Sequence, residues 1–386
     1  MNKLFKSHPL RKRGYLPGDE EQINALYRLI AGIDRSNDEY RWEWLGTWNG
    51  RGSMWLAFDE NREPGDQLIM QYSLIPTPMS VFGKTCLAAK TENCMCHPVY
   101  RGSGLYFKHE KRSFEDAKQS FQLFFTTDGT AGRGAAGAVR RKLGYMAFDS
   151  WVQYFFLTDA NLVQQKIDSV FSQRMESISS PVGFLSACAT SLVTAYFRPR
   201  DSKCYGYEAR VFDKSDSPLE DVEALWCRNK GIYGISVDRN QSYMHWRLDR
   251  NPYFEHRYLG LYDKKRMVGY VVFYRDGHHV MRVVDILADN KSVGIFCQLL
   301  GNLTALATRE RAAAVSCTTL AGNRILRNAL KKSRFVRRDI MSDIRNWRKK
   351  KEMPFHVYVK GITSEYPGAL ERRNWYITEL VMEGRR

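Results

Sequence analysis

One stretch constrains this chain more than any other: Thr91-Glu-Asn-Cys-Met-Cys-His-Pro-Val-Tyr-Arg-Gly-Ser-Gly-Leu-Tyr-Phe. A strand ends near Cys96, Arg101-Gly-Ser-Gly-Leu105 turns the chain, and a helix begins. The first turn of a helix carries unpaired backbone N–H groups and the positive end of the helix dipole. Gly102 and Gly104 place no Cβ between the backbone and a ligand. Arg101 adds a fixed charge at the rim. Such a turn suits an anion, and a pyrophosphate in particular. A dinucleotide-binding unit would need G-x-G-x-x-G inside a βαβ unit. Here the glycines are Gly102 and Gly104 alone, and the strands before them read as antiparallel.

The 386 residues suffice for two or three domains. With 44% hydrophobic, 26% charged and 13% aromatic residues, the chain can bury enough surface to fold as a globular protein. Gly 28, Pro 12 and Cys 8 exclude collagen-like and disulfide-scaffold classes. The net charge of +17 favours anionic partners: nucleic acid, a phosphorylated cofactor, a nucleotide-linked substrate or an acidic membrane surface. The surplus is uneven, because residues 324–352 hold 12 Lys/Arg against 3 Asp/Glu. Met1–Tyr15 is basic but no apolar core follows, which makes a poor secretory signal. The uncharged stretch Ser177–Phe197 holds seven Ser and Thr and reads as a soluble helix rather than a membrane span. The cysteines form no CxxC pair, so reduced thiols in a cytoplasmic protein are expected.

Apolar periodicity and turn residues predict a helix over 17–30 and strands at Ser53–Phe58, Gln67–Leu74, Met79–Phe82 and Thr85–Met95. A helix over 104–120, a strand at Phe121–Thr126 and a helix at Ala135–Lys142 follow. The order then recurs: helix Pro218–Lys230, a Trp/Arg segment at Tyr243–Leu248, strands Arg257–Tyr262, Met267–Tyr274 and His279–Ile286, helix Ser292–Thr308, strand Ala312–Cys317 and helix Asn323–Lys332. This is an α+β pattern of two mostly antiparallel sheets flanked by helices. It predicts a domain over 1–150, a helical connector over 151–205 and a second domain over 206–386. A repeat near 190 residues means two copies of a domain rather than a solenoid.

The run Cys96-His-Pro-Val-Tyr-Arg-Gly-Ser-Gly-Leu resembles the acyl-CoA-binding motif of the GNAT N-acetyltransferase superfamily. Arg141-Lys-Leu-Gly-Tyr145 resembles the closing segment of the same fold. Thr91-Glu-Asn ahead of the motif, Tyr243-x-x-Trp246-Arg247 with Asn251-Pro252, and Trp375-Tyr-Ile-Thr are similar to a subgroup of large bacterial proteins with two GNAT-like halves. The resemblance implies that acetyl-CoA, or another acyl-CoA, is held at its pyrophosphate by Arg101, Gly102, Ser103, Gly104 and Leu105. It implies that the strand edge at Met95 and Cys96 pairs with the pantetheine arm. An amine attacks the thioester directly and a general base takes its proton. The tyrosine that serves the family as general acid would fall four residues before Gly144, where this sequence has Arg140. The proton source for the departing thiolate is therefore unassigned. The second half has Asp285-Ile-Leu-Ala-Asp-Asn-Lys-Ser-Val-Gly294 in place of the glycine turn. One cofactor site per chain is expected, with residues 206–386 serving the acceptor or the scaffold.

Glu92 and His97 are the candidate catalytic residues. Either could take a proton, and either could equally be a structural residue at a strand end. Asp128, just after the fifth strand, is the candidate substrate-binding residue, with a turn Asp before Gly129 as the plainer alternative. Cys94 and Cys96 share one face of the strand. With no second Cys/His pair they imply packing rather than a metal. The Trp42–Trp48 and Trp246 segments could stack on a sugar or base, although burial in the core is the commoner role.

The expected function is transfer of an acetyl or short acyl group from CoA to a primary amine. The acceptor would be a small molecule or an amino sugar, phosphorylated if it is a precursor of a surface polysaccharide. No DNA partner and no transmembrane segment are expected, while peripheral membrane contact fits the charge. Two alternatives are an aminoacyl-tRNA-dependent cell-wall peptide transferase and a non-catalytic binding protein with a vestigial CoA turn.

Overall fold

The computed structural model describes residues 10–127, 135–158, 196–197, 206–337 and 353–382. Most of the expected connector, Asp128 and the basic run at 348–351 lie outside them. Among the described residues no helix is long and apolar enough to cross a membrane.

The first half runs β1 (Arg11–Gly14), α1 (Glu20–Ala31), α2 (Asn37–Tyr40), β2 (Ser53–Phe58), β3 (Leu68–Val81), β4 (Lys84–Cys96), α3 (Leu105–Ala117), β5 (Leu123–Thr127), α4 (Ala135–Lys142) and β6 (Met146–Leu157). The second half repeats this order. It supplies β7 (Glu208–Asp213), β8 (Ile235–Val237), β9 (Arg257–Asp263), β10 (Arg266–Arg275), β11 (Val280–Ala288), β12 (Ala314–Leu320), β13 (Val336–Arg337), β14 (Met353–Tyr358) and β15 (Trp375–Tyr376). Its helices include Leu219–Asn229, Val293–Arg309 and Arg324–Lys332.

All strands join one sheet, in the main order β1-β2-β3-β4-β5-β14-β6-β12-β11-β10-β9-β7. The halves are completed by exchange. β14, late in the chain, enters the first half between β5 and β6. β6 in turn lies between β12 and β13 of the second half. The expected boundary at residue 150 falls within β6, beside Trp151, which registers with both Met353 and Leu320.

A near two-fold relation is visible at the centre. Trp42 and Trp246 lie on π-helical turns, Arg41–Leu45 and His245–Asp249, that follow short helices capped by Ser36 and Asn240. Trp42 Nε1 donates to Trp246 O at 2.8 Å, and Trp246 Nε1 donates to Trp42 O at 2.9 Å. The rings stack with centroids 5.6 Å apart. Both indoles are buried, as is Trp44, so these tryptophans are core and not a stacking platform for a ligand.

The expected strands at 67–74 and 79–82 are one strand, β3, despite Pro76 and Pro78. The Pro76 carbonyl accepts Trp48 Nε1 at 2.7 Å, and the Pro78 carbonyl accepts Asp238 N at 2.8 Å. Those carbonyls point away from β4. A strand residue sends its N and its C=O to the same side, so the ladder to β4 loses no donor.

Two layers cover the first half of the sheet. Neighbouring β4 residues Ala88 and Ala89 belong to different apolar clusters and so face opposite sides. On one side Ile23, Leu26 and Tyr27 of α1 join the large core shared with the second half. On the other, Phe114 and Ala117 of α3 pack on Tyr72, Leu74, Ala89 and Phe124.

Strand exchange makes the halves interdependent. Phe355 on β14 is fully buried and packs against Phe125 of the first half and Trp375 of the second. Phe355→Ala should cost about 3–5 kcal/mol. Urea unfolding of both parent and variant is expected to show one cooperative transition. Two separate transitions would contradict the interdependence.

Candidate active site

The site begins where two parallel strands part. β4 and β5 pair only at Ala88↔Leu123, Ala89↔Phe124 and Lys90↔Phe125. Beyond that, Thr126 and Thr127 of β5 keep their pairing with β14 on the far edge. β4 runs on to Cys96 with β3 on one edge and, among the described residues, no strand on the other. Thr126 Oγ1 donates to Thr91 O at 3.2 Å across the apex of the gap. Below the apex β4 bulges, with its register to β3 slipping between Gln71 and Ser73 and Asn93 at φ +48°. A strand edge with open N–H and C=O groups is a template for an extended ligand.

The glycine turn sits at the mouth of this wedge. After β4, His97 caps the short turn Pro98–Tyr100, and the chain passes through Gly102 (φ +78°) and Gly104 (φ +76°) into α3. Ser103 Oγ donates to Tyr100 O at 2.6 Å and holds the turn closed. Among the described residues the N–H groups of Gly102, Ser103 and Gly104 have no acceptor, and all three residues are exposed. A Cβ built on Gly102 or Gly104 would point into open space. Arg101 Nε donates to Cys96 O at 3.2 Å, which fixes the guanidinium beside the end of β4. A row of unpaired amides, a helix N-terminus and an arginine make an anion cradle.

The residues named from sequence fall around this wedge. Met95 is buried toward the α1 side. Cys96 packs toward α3, where burial pushes its thiol above the ordinary value. Glu92 is buried on the α1 face with its Oε2 2.5 Å from Lys90 Nζ. Tyr243 of the second half lies within electrostatic reach of it. His97 is held as a capping residue. Its Nδ1 accepts the Val99 N–H at 3.3 Å and its Nε2 lies 3.2 Å from Arg62 Nη2. Burial, with Arg62 and Arg101 nearby, holds the imidazole below its ordinary pKa, so it is neutral at pH 7.

A polar group that sequence reasoning did not pick out lies on the α3 side. Arg140 of α4 is 4% exposed, is ion-paired with Glu110 of α3, and places Nη2 3.2 Å from Cys94 Sγ. Tyr106, in the first turn of α3, brings its hydroxyl to the same cysteine. The one signal in the sequence was Arg140 standing where a tyrosine was expected.

The second half has the same wedge, and the chain fills it. β11 and β12 pair from Val280↔Ala314 to Val283↔Cys317 and then part, as β12 continues along β6. Residues 375–382 occupy the gap. Tyr376 hydroxyl donates to Ile286 O at 2.5 Å, Thr378 Oγ1 donates to Asp285 Oδ1 at 2.8 Å, and Thr378 bridges to Thr319. Asp285 is fully buried and receives Arg239 Nε and Nη2 at 2.8 and 2.9 Å, with Tyr270 hydroxyl at 2.5 Å. Among the described residues, then, one wedge is open and its duplicate is plugged.

No family model and no curated protein matches the sequence. The fold does match solved structures. A probable N-acyltransferase from Enterococcus faecalis V583 superposes with a TM-score of 0.60 at 13% identity, over 92% of this chain and 75% of that one. A GCN5-related N-acetyltransferase from Anabaena variabilis gives 0.58 at 12% identity, over 90% and 73%. Another from Kribbella flavida gives 0.53 at 11%, over 90% and 70%. The chain therefore has the fold of the GCN5-related N-acetyltransferases, in two copies that exchange a strand.

Two measurements probe the plugged wedge. Arg239→Met leaves the Asp285 carboxylate buried without its partner and should cost about 3–5 kcal/mol in urea unfolding. Burial pushes the Glu379 carboxyl up to about 7, against the opposing Thr318 hydroxyl and Arg282. With the folded pKa above the unfolded one, the native state binds the extra proton, and stability falls as pH rises toward 7. Glu379→Gln should therefore raise the melting temperature more at pH 8 than at pH 5.

Proposed function

We propose that this chain is an N-acyltransferase that moves an acetyl or short acyl group from CoA to a primary amine, with one acyl-CoA site per chain, in the first half. The observation that carries this reading is the junction, among the described residues, of a β4 edge with no neighbouring strand beyond Lys90 and the unpartnered amides of Gly102, Ser103 and Gly104. The names carried by the Enterococcus faecalis and Anabaena variabilis structures support the same chemistry.

The residues present fit acyl-CoA as substrate. The amides at 102–105 and the Arg101 guanidinium meet the pyrophosphate charge. The β4 edge at Met95 and Cys96, next to the glycine turn, is where the pantetheine arm would lie. Acyl-CoA supplies an activated thioester. The amine nitrogen attacks its carbonyl carbon, while a β4 amide at the bulge steadies the oxygen on which charge develops. Glu92, ion-paired with Lys90, takes the proton from nitrogen directly or through water.

The second half covers the α1 face where the amine approaches. The net charge of +17 favours a phosphorylated acceptor, and an amino sugar of a surface-polysaccharide precursor satisfies both demands. An aminoacyl-tRNA donor would have no use for the row of open amides.

Calorimetry with acetyl-CoA tests this reading. The parent is expected to bind, and Gly104→Trp is expected to lose binding by about a hundredfold or more, because the indole would occupy the cradle and the residue would be strained at positive φ. Equal affinity of parent and variant would move the site elsewhere. Salt-sensitive tRNA binding without acetyl-CoA binding would replace the acyl-CoA reading.

A further inference from the structure

One face of the second half takes no part in the proposed reaction. The helix Arg324–Lys332 buries Leu326, Ala329 and Leu330 and leaves Arg324, Asn328, Lys331 and Lys332 exposed. Steps of four, three and one residues set those four on a single helix face. From Arg324 to Arg337 the sequence holds six cations (Arg324, Arg327, Lys331, Lys332, Arg334 and Arg337) and no Asp or Glu. Among the described residues Arg324, Lys331 and Lys332 form no ion pair, whereas exposed cations elsewhere are matched, as Arg11 is by Glu60, Lys84 by Glu365 and Arg210 by Glu208. Arg372 adjoins the start of the helix, where a Cβ on Gly322 would meet Arg372 Cβ at 3.0 Å. The carboxylates nearest that end are engaged. Glu371 pairs with Arg373 at 2.6 Å, and buried Asp149 accepts Gly322 N at 2.9 Å.

The other end of the row carries an aromatic residue. Tyr196 is 47% exposed, and Arg334 Nη1 donates to its carbonyl at 2.8 Å. Phe197, next to it, is buried against Phe156. The run from Ser177 to Phe197 that leads to this point contains no charged residue.

We propose that this face docks on an acidic membrane surface, with its cations against anionic phospholipid headgroups. Charge alone would suit nucleic acid equally well, and Tyr196 separates the two. A base needs a free ring to stack on. The Tyr196 ring is already in contact with the Arg334 guanidinium, 5.6 Å from its centroid, and with the Phe197 ring at 5.1 Å. A tyrosine among cations, at the end of an uncharged run, suits the headgroup layer, where an apolar body and a polar tip are both satisfied. The apolar side of the helix is committed to the core, so the helix rests on the bilayer by electrostatics and does not insert. This inference stands on charge and exposure and does not depend on the acyl-CoA reading.

The full chain is tested by flotation with phosphatidylcholine vesicles, with and without phosphatidylglycerol. The parent should float only with the acidic vesicles, and added salt should release it. Lys331→Gln/Lys332→Gln should weaken binding by about thirtyfold, the effect of removing two cations from an acidic surface. Lys264→Gln/Lys265→Gln, on the exposed turn between β9 and β10, removes the same charge and should stay within about threefold of the parent. Both pairs are exposed, so both variants should melt with the parent. Equal loss in the two variants would assign the attraction to net charge and overturn this face as the site. Failure of the parent to float with acidic vesicles would overturn the proposal. So would binding to tRNA, lost in Lys331→Gln/Lys332→Gln, without binding to vesicles.

Discussion

The architecture depends on the point where β4 and β5 stop hydrogen-bonding to each other. Parallel strands side by side satisfy every backbone group, and a sheet that did so throughout would have no place for a ligand. Here the ladder ends at Lys90 and Phe125, while β5 keeps β14 along its other edge through Thr127. Among the described residues no strand pairs with β4 on that side beyond Lys90, and an extended ligand could add to such an edge. The bulge at Asn93 and the turn through Gly102 and Gly104 then place further open amides along the same path.

The strand on the other edge of β5 comes from the far end of the chain. β14 belongs by sequence to the second half, and β6, which it accompanies, gives most of its length to β12. The sheet of the first half is therefore complete only with a strand from the second. The stacked tryptophans 42 and 246, each bonded to the other's carbonyl, fix how the two copies face one another. In the duplicated wedge the chain supplies its own filling: the Tyr376 hydroxyl donates to the Ile286 carbonyl, and Thr378 donates to the Asp285 carboxylate and bridges to Thr319.

Much of this was written locally in the sequence. The helices at 20–31, 135–142 and 324–332 and the strand at 53–58 follow from apolar spacing and end residues, and the repeat follows from their order. The glycine turn was legible because two glycines and an arginine at a strand–helix junction have a direct physical use. What could not be read was long-range. β14 is a short apolar run whose partners lie more than two hundred residues away, and nothing local marks it as an exchanged strand. Pro76 and Pro78 read as breaks because their carbonyl partners, Trp48 and Asp238, come from elsewhere in the chain. Of the group around Arg140, only that arginine stood out in the sequence, for the same reason. Tyr106, Glu110 and Cys94 are ordinary residues until α3, α4 and β4 are brought together.

Hydrogen exchange with and without acetyl-CoA tests the contrast between the open and the plugged wedge most directly. Peptides covering residues 91–105 should exchange rapidly in the free protein and slow markedly when acetyl-CoA is added. Peptides covering 283–290 and 375–381 should be slow from the start and unaffected by it. Equal protection of both regions in the free protein, or protection appearing in the second region alone, would contradict the account.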